Sequence, residues 1–518
     1  MIDIISADRL RCKTLNSSKS CDTMIKTAIK GENTMFDVRI LPGGQILSAP
    51  EGKNLMELLR ENGLLPDAPC GGRGTCGKCR ALADGEPVLT CQTHVHGNMT
   101  VELEQKRQAE ILTGGQNVEI RPDGCSRYVL AIDIGTTTVV AYLLDGNTGN
   151  TLSRASCINP QNRYGADVIS RIQYAMDGEG EQLKTVIRQA LDSLTRSAAQ
   201  QAGIRPEQIG VAAIVGNTAM HHLLLGIDSR PLTVPPYMPN VYEALEEKPE
   251  GLLPISPEGT VRILPNIAGF VGADTVGCMV STRFDRQETL TLMIDIGTNG
   301  EMVLGDRNRR ITCSTAAGPA FEGAKIQCGM RGETGAVDHV WLENGQVRYS
   351  VIGGGEAAGL CGSGLLDLVA VLLETGVIDE SGRMEEKTYH LGGSVVLTQK
   401  DVREVQLAKS AIRTGVELMA DRLGAAVEDI RQVYLAGAFG NYMNPESACA
   451  IGMIPPVLLE KIRPIGNAAG EGARLCALSA GEYDYSKALA AGTEFLELAS
   501  LPEFNDSYVD YLSFEEEE

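Results

Sequence analysis

The tetrapeptide Asp133-Ile134-Gly135-Thr136 returns as Asp295-Ile296-Gly297-Thr298, 162 positions further along the chain. Each copy closes one apolar run and opens another. Tyr128 to Ile132 precede the first Asp, and Val139 to Leu144 follow the turn; Leu292 to Ile294 precede the second, and Met302 to Leu304 follow. Short apolar runs bounded by turn residues read as buried strands. Each copy therefore predicts a strand, a tight turn and a returning strand, with a carboxylate at the first strand's end. A duplication of this kind implies two similar units within one chain.

Two such turns facing each other across a cleft suit ATP. Backbone N–H groups and hydroxyls at Gly135, Thr136, Thr137 and Thr138, and at Gly297, Thr298, Asn299, Gly300 and Glu301, can donate to phosphate oxygens. Asp133 and Asp295 are expected to hold Mg²⁺ through water and to orient an attacking water. A third element, Gln432 to Met443, reads as a strand running into a glycine turn and a helix, with Gly437, Ala438, Phe439 and Gly440 at the turn. Residues 316–324 and 359–364 are also glycine-rich and read as turns at helix starts, with contact to nucleotide or partner as the alternative. The second, with Gly362 and Gly364, can present helix N-terminal amides to a phosphate. Lys409, on a helix expected over Asp401 to Leu423, reads as a solvated lysine, with a reach to the adenosine as the alternative. His221-His222 lies in a leucine-rich helix and reads as packing. Residues 486–500 read as a final helix.

The N-terminal part carries different chemistry. Cys70, Cys76, Cys79 and Cys91 are spaced C-x5-C-x2-C-x11-C, with Gly71, Gly72, Gly74 and Gly77 between the first three. Four thiolates on a short glycine loop can enclose two irons and two sulfides, with backbone N–H groups left to bond the sulfurs. A zinc knuckle would favour two C-x2-C pairs, and only one is present. Residues 36–48 predict a hairpin around Pro42-Gly43-Gly44, and 51–63 a helix with Leu55, Leu58 and Leu59 on one face. That order matches a β-grasp ferredoxin. His94 and His96 read as surface residues, because four cysteines already fill the site.

The net charge of −21 leaves no basic stripe for nucleic acid. No apolar run approaches the roughly 20 residues of a membrane span, and residues 1–34 lack the apolar core of a signal peptide. They read as a disordered extension or an over-called start ahead of Met35. The other ten of the 14 cysteines are scattered; most of them read as small buried hydrophobes, and their number implies a reducing cytoplasm.

The order phosphate turn, phosphate turn, strand–glycine turn–helix resembles the ATPase superfamily of actin, Hsp70 chaperones and sugar kinases. That resemblance covers residues 128–500. It implies two RNase H-like lobes with nucleotide between them, and places Gly216-Asn217-Thr218 and Ile465 to Ala473 at segments linking the lobes. Over nearly all of residues 36–500 the chain, an α/β and α+β multidomain protein, resembles the reductive activators of corrinoid proteins. The residues that carry this are the four-cysteine loop, Asp133 to Thr138, Gly216 to Thr218, Ala317 to Gly323, Cys361 to Gly364 and Leu435 to Gly440. The expected domains are 1–34 extension, 35–96 [2Fe–2S] ferredoxin-like domain, 97–127 linker, 128–289 first lobe, 290–464 second lobe, 465–505 helices returning to the first lobe, and 506–518 acidic tail.

The resemblance implies ATP-dependent return of an inactive Co(II) corrinoid to Co(I) by one electron from the cluster. It implies, as partners, the corrinoid protein of a methyltransferase system, a low-potential electron donor such as a ferredoxin, and a second copy in a homodimer. Better-known members carry a further domain between linker and ATPase, for which 97–127 leaves little room. Two rival readings remain at this level: an electron injector of the 2-hydroxyacyl-CoA dehydratase activator type, and a small-molecule kinase with a ferredoxin sensor.

Overall fold

The computed structural model describes residues 35–62, 64, 72, 74, 79–103, 120–297 and 299–514. Cys70, Cys76, Thr298, the first 34 residues, most of the expected linker and the last four residues lie outside this set. The chain divides into two compact units, one formed by residues 1–66 and 80–104 and the other by 67–79 and 105–518.

The small unit is a five-stranded sheet of β1 (Met35–Leu41), β2 (Ile46–Pro50), β3 (Arg80–Ala83), β4 (Glu86–Leu89) and β5 (Met99–Leu103), in the order β2-β1-β5-β3-β4. Strand β5 runs parallel to β1 and antiparallel to β3. The helix Leu55–Glu61 lays Leu55, Leu58 and Leu59 on the sheet beside Val38, Ile40 and Leu47. The expected linker therefore starts too early at residue 97. Val101 is fully buried and β5 is hydrogen-bonded on both sides, so the sheet needs it.

The large unit holds the duplicated pattern. The first lobe is a sheet of β6 (Tyr128–Ile134), β7 (Thr138–Asp145), β8 (Thr151–Ile158), β9 (Ile209–Gly216), β10 (Leu245–Glu247) and β11 (Thr260–Ile263), in the order β10-β11-β9-β6-β7-β8. In the second lobe β12 (Thr291–Ile296), β13 (Gly300–Gly305) and β14 (Arg310–Thr315) form the same antiparallel meander. Two small sheets follow, of Ala336–Glu343, Gln346–Val351 and Gly359–Leu360 and of Thr388–Gly392 and Val395–Thr398, here β15 to β19. The main sheet is completed by β20 (Gln432–Ala436), β21 (Ile462–Gly466) and β22 (Glu494–Phe495), giving β21-β20-β12-β13-β14-β22. In each lobe the first strand sits in the middle, with its meander on one side and a parallel strand on the other.

The helix Ala468–Leu478 leaves the second lobe's sheet and packs on β6, β9 and the helix Ala273–Thr282. One buried cluster joins side chains of both sheets here, including Ala131, Val215, Met293 and Ala436. The two helices touch backbone to backbone: a Cβ on Gly277 would lie 2.9 Å from the Ala469 carbonyl oxygen, and a Cβ on Gly472 would overlap the Gly277 carbonyl.

Beyond Ala491 the chain departs from the expected return to the first lobe. The expected final helix ends at Ala491; β22 then pairs with β14, and the helix Phe504–Asp510 packs on Gln399–Leu423, both in the second lobe. Lys409 is buried rather than solvated. Its Nζ donates to the Ser513 carbonyl and lies 5.2 Å from the centre of the Phe514 ring. The expected tail is thus a strap up to Phe514, itself buried. Both histidines are packing groups as read: His222 bonds Thr218 and Asn240, and His221 bonds Asn266.

Replacing Gly472 with Ala forces a methyl group against the Gly277 backbone, which cannot rotate away. A destabilisation of about 1–3 kcal/mol is expected. Chemical denaturation checks it, with Gly481→Ala as the comparison, where a Cβ meets nothing nearer than 3.4 Å.

Candidate functional site

Cys79 is buried and directly precedes β3. Cys91 lies on the turn Thr90–Gln92 after β4. The turn is held by Asn54, whose Nδ2 donates to the Cys91 carbonyl at 3.0 Å while its Oδ1 caps the helix Leu55–Glu61. One side chain thus ties the turn carrying a thiol to the helix. Cys70 and Cys76 lie outside the described residues. A thiol on a turn held in place by the hydrogen bonds of its neighbours fits a ligand of an iron–sulfur group.

In the large unit the two Asp-Gly turns open onto one cavity of about 330 Å³. In both turns the glycine N–H closes the hairpin: Gly135 donates to Thr138 O at 2.9 Å and Gly297 to Asn299 O at 2.8 Å. In the first, three successive carbonyls are tied back into the lobe. Asn159 Nδ2 holds Gly135 O, the Arg171 guanidinium holds Thr136 O, and the Asn159 N–H holds Thr137 O. A trans peptide points its N–H opposite to its C=O. The N–H groups of Thr136 and Thr137 therefore face the cleft, which is the polarity a phosphate needs. Asn217 caps the helix Thr218–Leu225 and steadies the Thr136 hydroxyl at 2.8 Å.

Four carboxylates crowd the floor: Asp133, Asp274, Asp295 and Glu301. Burial pushes Asp133 and Asp295 up to about 7, each raised further by Asp274 nearby. Burial lifts Asp274 to about 6 and Glu301 well above the usual range. Asn467 works the other way at Asp133, donating at 2.9 Å from the start of the helix that leaves the second lobe. Gly437 has φ +78, and a Cβ there would overlap Asp295 Oδ1, so only glycine lets this turn close over the carboxylate. Among the described residues no three His, Cys, Asp or Glu side chains converge as direct metal ligands. The set fits a cation held through water, as Mg²⁺ prefers.

Most of the expected nucleotide residues line the cavity: Asp133, Gly135 to Thr138, Asn217, Asp295, Gly297, Asn299, Glu301, Gly362, Gly437, Ala438 and Phe439. Gly216, Gly300, Gly364 and Gly440 stand behind it, and their lack of a side chain serves packing. A Cβ on Gly216 would lie 2.7 Å from Ile134 O, one on Gly300 2.9 Å from Thr315 Oγ1, and one on Gly364 would overlap Val337 O. Sequence reasoning missed Asp274, Glu322, Arg331 and Asn467 as site residues, although all four line the cavity. Asp274 had a weak signal, an acid just after a glycine at a helix start.

Family models match nearly the whole described chain. The 2Fe-2S iron-sulfur cluster binding domain matches residues 38–108, the RACo middle region 128–287, and the C-terminal domain of RACo, the ASKHA domain, 289–518. The corrinoid activation enzyme RamQ of Eubacterium limosum is 37% identical over 77% of this chain and 73% of its own length. The Co(II) methylated amine-specific corrinoid protein reductase of Methanosarcina barkeri is 31% identical over 49% of this chain and 51% of its own. A solved reductive activator for corrinoid, iron-sulfur protein superposes with TM-score 0.67 at 28% identity, over 92% of this chain and 98% of that one.

The chain belongs to the reductive activators of corrinoid proteins.

Its fold is a [2Fe–2S] ferredoxin domain followed by the actin-like ATPase fold, and its cofactors are the [2Fe–2S] cluster and ATP with Mg²⁺. All four cysteines fall inside the ferredoxin match. No helix among the described residues is long and apolar enough to cross a membrane.

The crowded carboxylates set a pH dependence. A carboxyl raised from about 4 to about 7 on folding takes up a proton, so its stabilising contribution is lost as pH rises through that window. Without Mg²⁺ or nucleotide, the thermal midpoint is expected to fall between pH 6 and pH 8. Asp295→Asn removes one titrating group, so the variant should melt higher than the parent at pH 8 and shift less. Equal pH slopes would count against the assignment.

Proposed function

We propose that this chain uses ATP to return the Co(II) form of a partner corrinoid protein to Co(I), one electron at a time. The observation that carries it is the single cavity walled by a phosphate turn from each lobe, in a chain that also holds a ferredoxin domain. A phosphotransferase needs no cluster, and a plain electron carrier needs no ATPase.

Cys70, Cys76, Cys79 and Cys91 would hold the cluster, which when bound supplies one electron per event. Plant-type clusters lie near −400 mV. Each further 59 mV of demand by the acceptor is a tenfold loss in a one-electron equilibrium. The work has to come from the ATPase lobes. Thr136 and Thr137 offer N–H groups to the phosphates from one lobe, and the turn from Gly297 to Asn299 faces them from the other. Asp133 and Asp295 carry the Mg²⁺ water shell. A nucleotide gripped from both sides favours one relative position of the lobes, and Asn467 bonded to Asp133 couples that position to the interlobe helix. The corrinoid protein of a methyltransferase system is the partner, a low-potential ferredoxin-like protein the electron donor, and a homodimer the assembly. An injector of the 2-hydroxyacyl-CoA dehydratase activator type would carry its cluster cysteines in the ATPase, whereas here the four-cysteine loop precedes it.

The test mixes reduced protein, a Co(II) corrinoid protein and Mg²⁺, with and without ATP, and follows the corrinoid spectrum. Co(I) is expected only with ATP. No ATP-dependent Co(I) with any corrinoid partner tried would sink the reading.

A further inference from the structure

Glu322 has no role in the scheme above, yet it stands between the two phosphate turns. It closes the short turn Pro319–Glu322 of the second lobe. One carboxylate oxygen accepts the Thr137 hydroxyl of the first lobe at 3.4 Å, across 185 residues of sequence. The other lies 3.8 Å from where a Cβ on Gly297 would stand. A carboxylate beside both turns is beside the place where a terminal phosphate gripped by both must sit.

The turn that carries it is built to stay put. Gly318 and Gly323 bracket it with φ +78 and +75, and a Cβ on Gly323 would lie 2.6 Å from the Met330 N. The Phe321 ring stacks on Phe439 at 4.7 Å between centroids and 12° between planes. Gly362 abuts the Phe321 carbonyl so closely that a Cβ there would overlap it. The glutamate also sits in a positive setting: its charge is one of two that offset the burial of the Arg171 guanidinium. The floor carboxylates are differently placed. Asp133 is occupied by Asn467, and a carboxylate engaged with a metal's water shell is a weak proton acceptor.

We propose that Glu322 is the catalytic base of ATP hydrolysis in this chain, positioning the attacking water and taking its proton. The inference rests on the ATP-driven function proposed above. The water oxygen forms the bond to the terminal phosphorus, and the bond from phosphorus to the bridging oxygen breaks. ADP leaves with that oxygen, and one water proton passes to the Glu322 carboxylate. The same carboxylate, bonded to Thr137 across the cleft, ties the step to a closed arrangement of the lobes.

The test is Glu322→Gln in the full chain with its cluster. Steady-state ATP hydrolysis is measured beside the affinity for a non-hydrolysable Mg²⁺–ATP analogue. General-base loss predicts kcat lower by about 10²- to 10⁴-fold, with affinity within about threefold of the parent. Hydrolysis within about fivefold of the parent overturns the proposal. So does a loss of affinity as large as the loss of rate, which would make Glu322 a binding group. If Glu322→Gln fails to fold, Glu322→Asp carries the test against Glu322→Ala: a carboxylate that recovers at least tenfold supports the base, and equal rates overturn it. A parent that hydrolyses no ATP, alone or with a corrinoid partner, sinks the proposed function and this inference together.

Discussion

Like charge crowded into one half-buried cleft is the constraint that shapes the large unit. Asp133, Asp274, Asp295 and Glu301 are packed where burial alone favours their neutral forms, and Asp274 raises the other three further. Such a cluster has no stabilising purpose of its own. A divalent cation arriving with nucleotide, as proposed above, would convert mutual repulsion into shared attraction. The rest of the cleft can be read as support for it. Asn467 supplies one neutral donor to Asp133, and Gly437 removes the side chain that would collide with Asp295.

The same constraint explains the interlobe packing. The carboxylates come from both lobes, so relative movement of the lobes changes how closely they crowd. That movement passes through the contact of the helices Ala273–Thr282 and Ala468–Leu478, which carry Asp274 and follow Asn467 respectively. Gly277 and Gly472 let the two backbones approach without intervening side chains. A contact of bare backbone has few alternative packings, so it can transmit a small displacement instead of absorbing it.

Much of this was legible in the sequence, because the turns leave local signatures. Asp133 to Thr138 and Asp295 to Glu301 join strand patterns to glycine and hydroxyl residues, and the repeat made the pair visible. What escaped was created by tertiary proximity. Around Asp274 and Glu322 the local signals are weak, a glycine before a helix start and a glycine-rich turn; each acid is brought to the phosphate turns by a helix or turn packed from elsewhere. Gly216, Gly300, Gly364 and Gly440 looked like phosphate glycines for the converse reason: a glycine required by packing and one required by a ligand read alike in sequence. Lys409 looked solvated because its partners, Ser513 and Phe514, lie about a hundred residues away in a segment that reads as tail. Strand β5 was lost to the linker because five polar-flanked residues carry little pattern until β1 and β3 stand on either side of them.

The central claim is that an intact, reduced cluster is not sufficient and that the carboxylate-lined cleft decides whether its electron reaches cobalt. The direct measurement is rapid-mixing spectroscopy of reduced Asp295→Asn against the parent, each with a Co(II) corrinoid protein, Mg²⁺ and ATP, recording the cluster and cobalt bands together. The account predicts the same starting cluster spectrum in both proteins, with coupled cluster oxidation and Co(I) formation in the parent alone. Co(I) formed at the parental rate by the variant would contradict it.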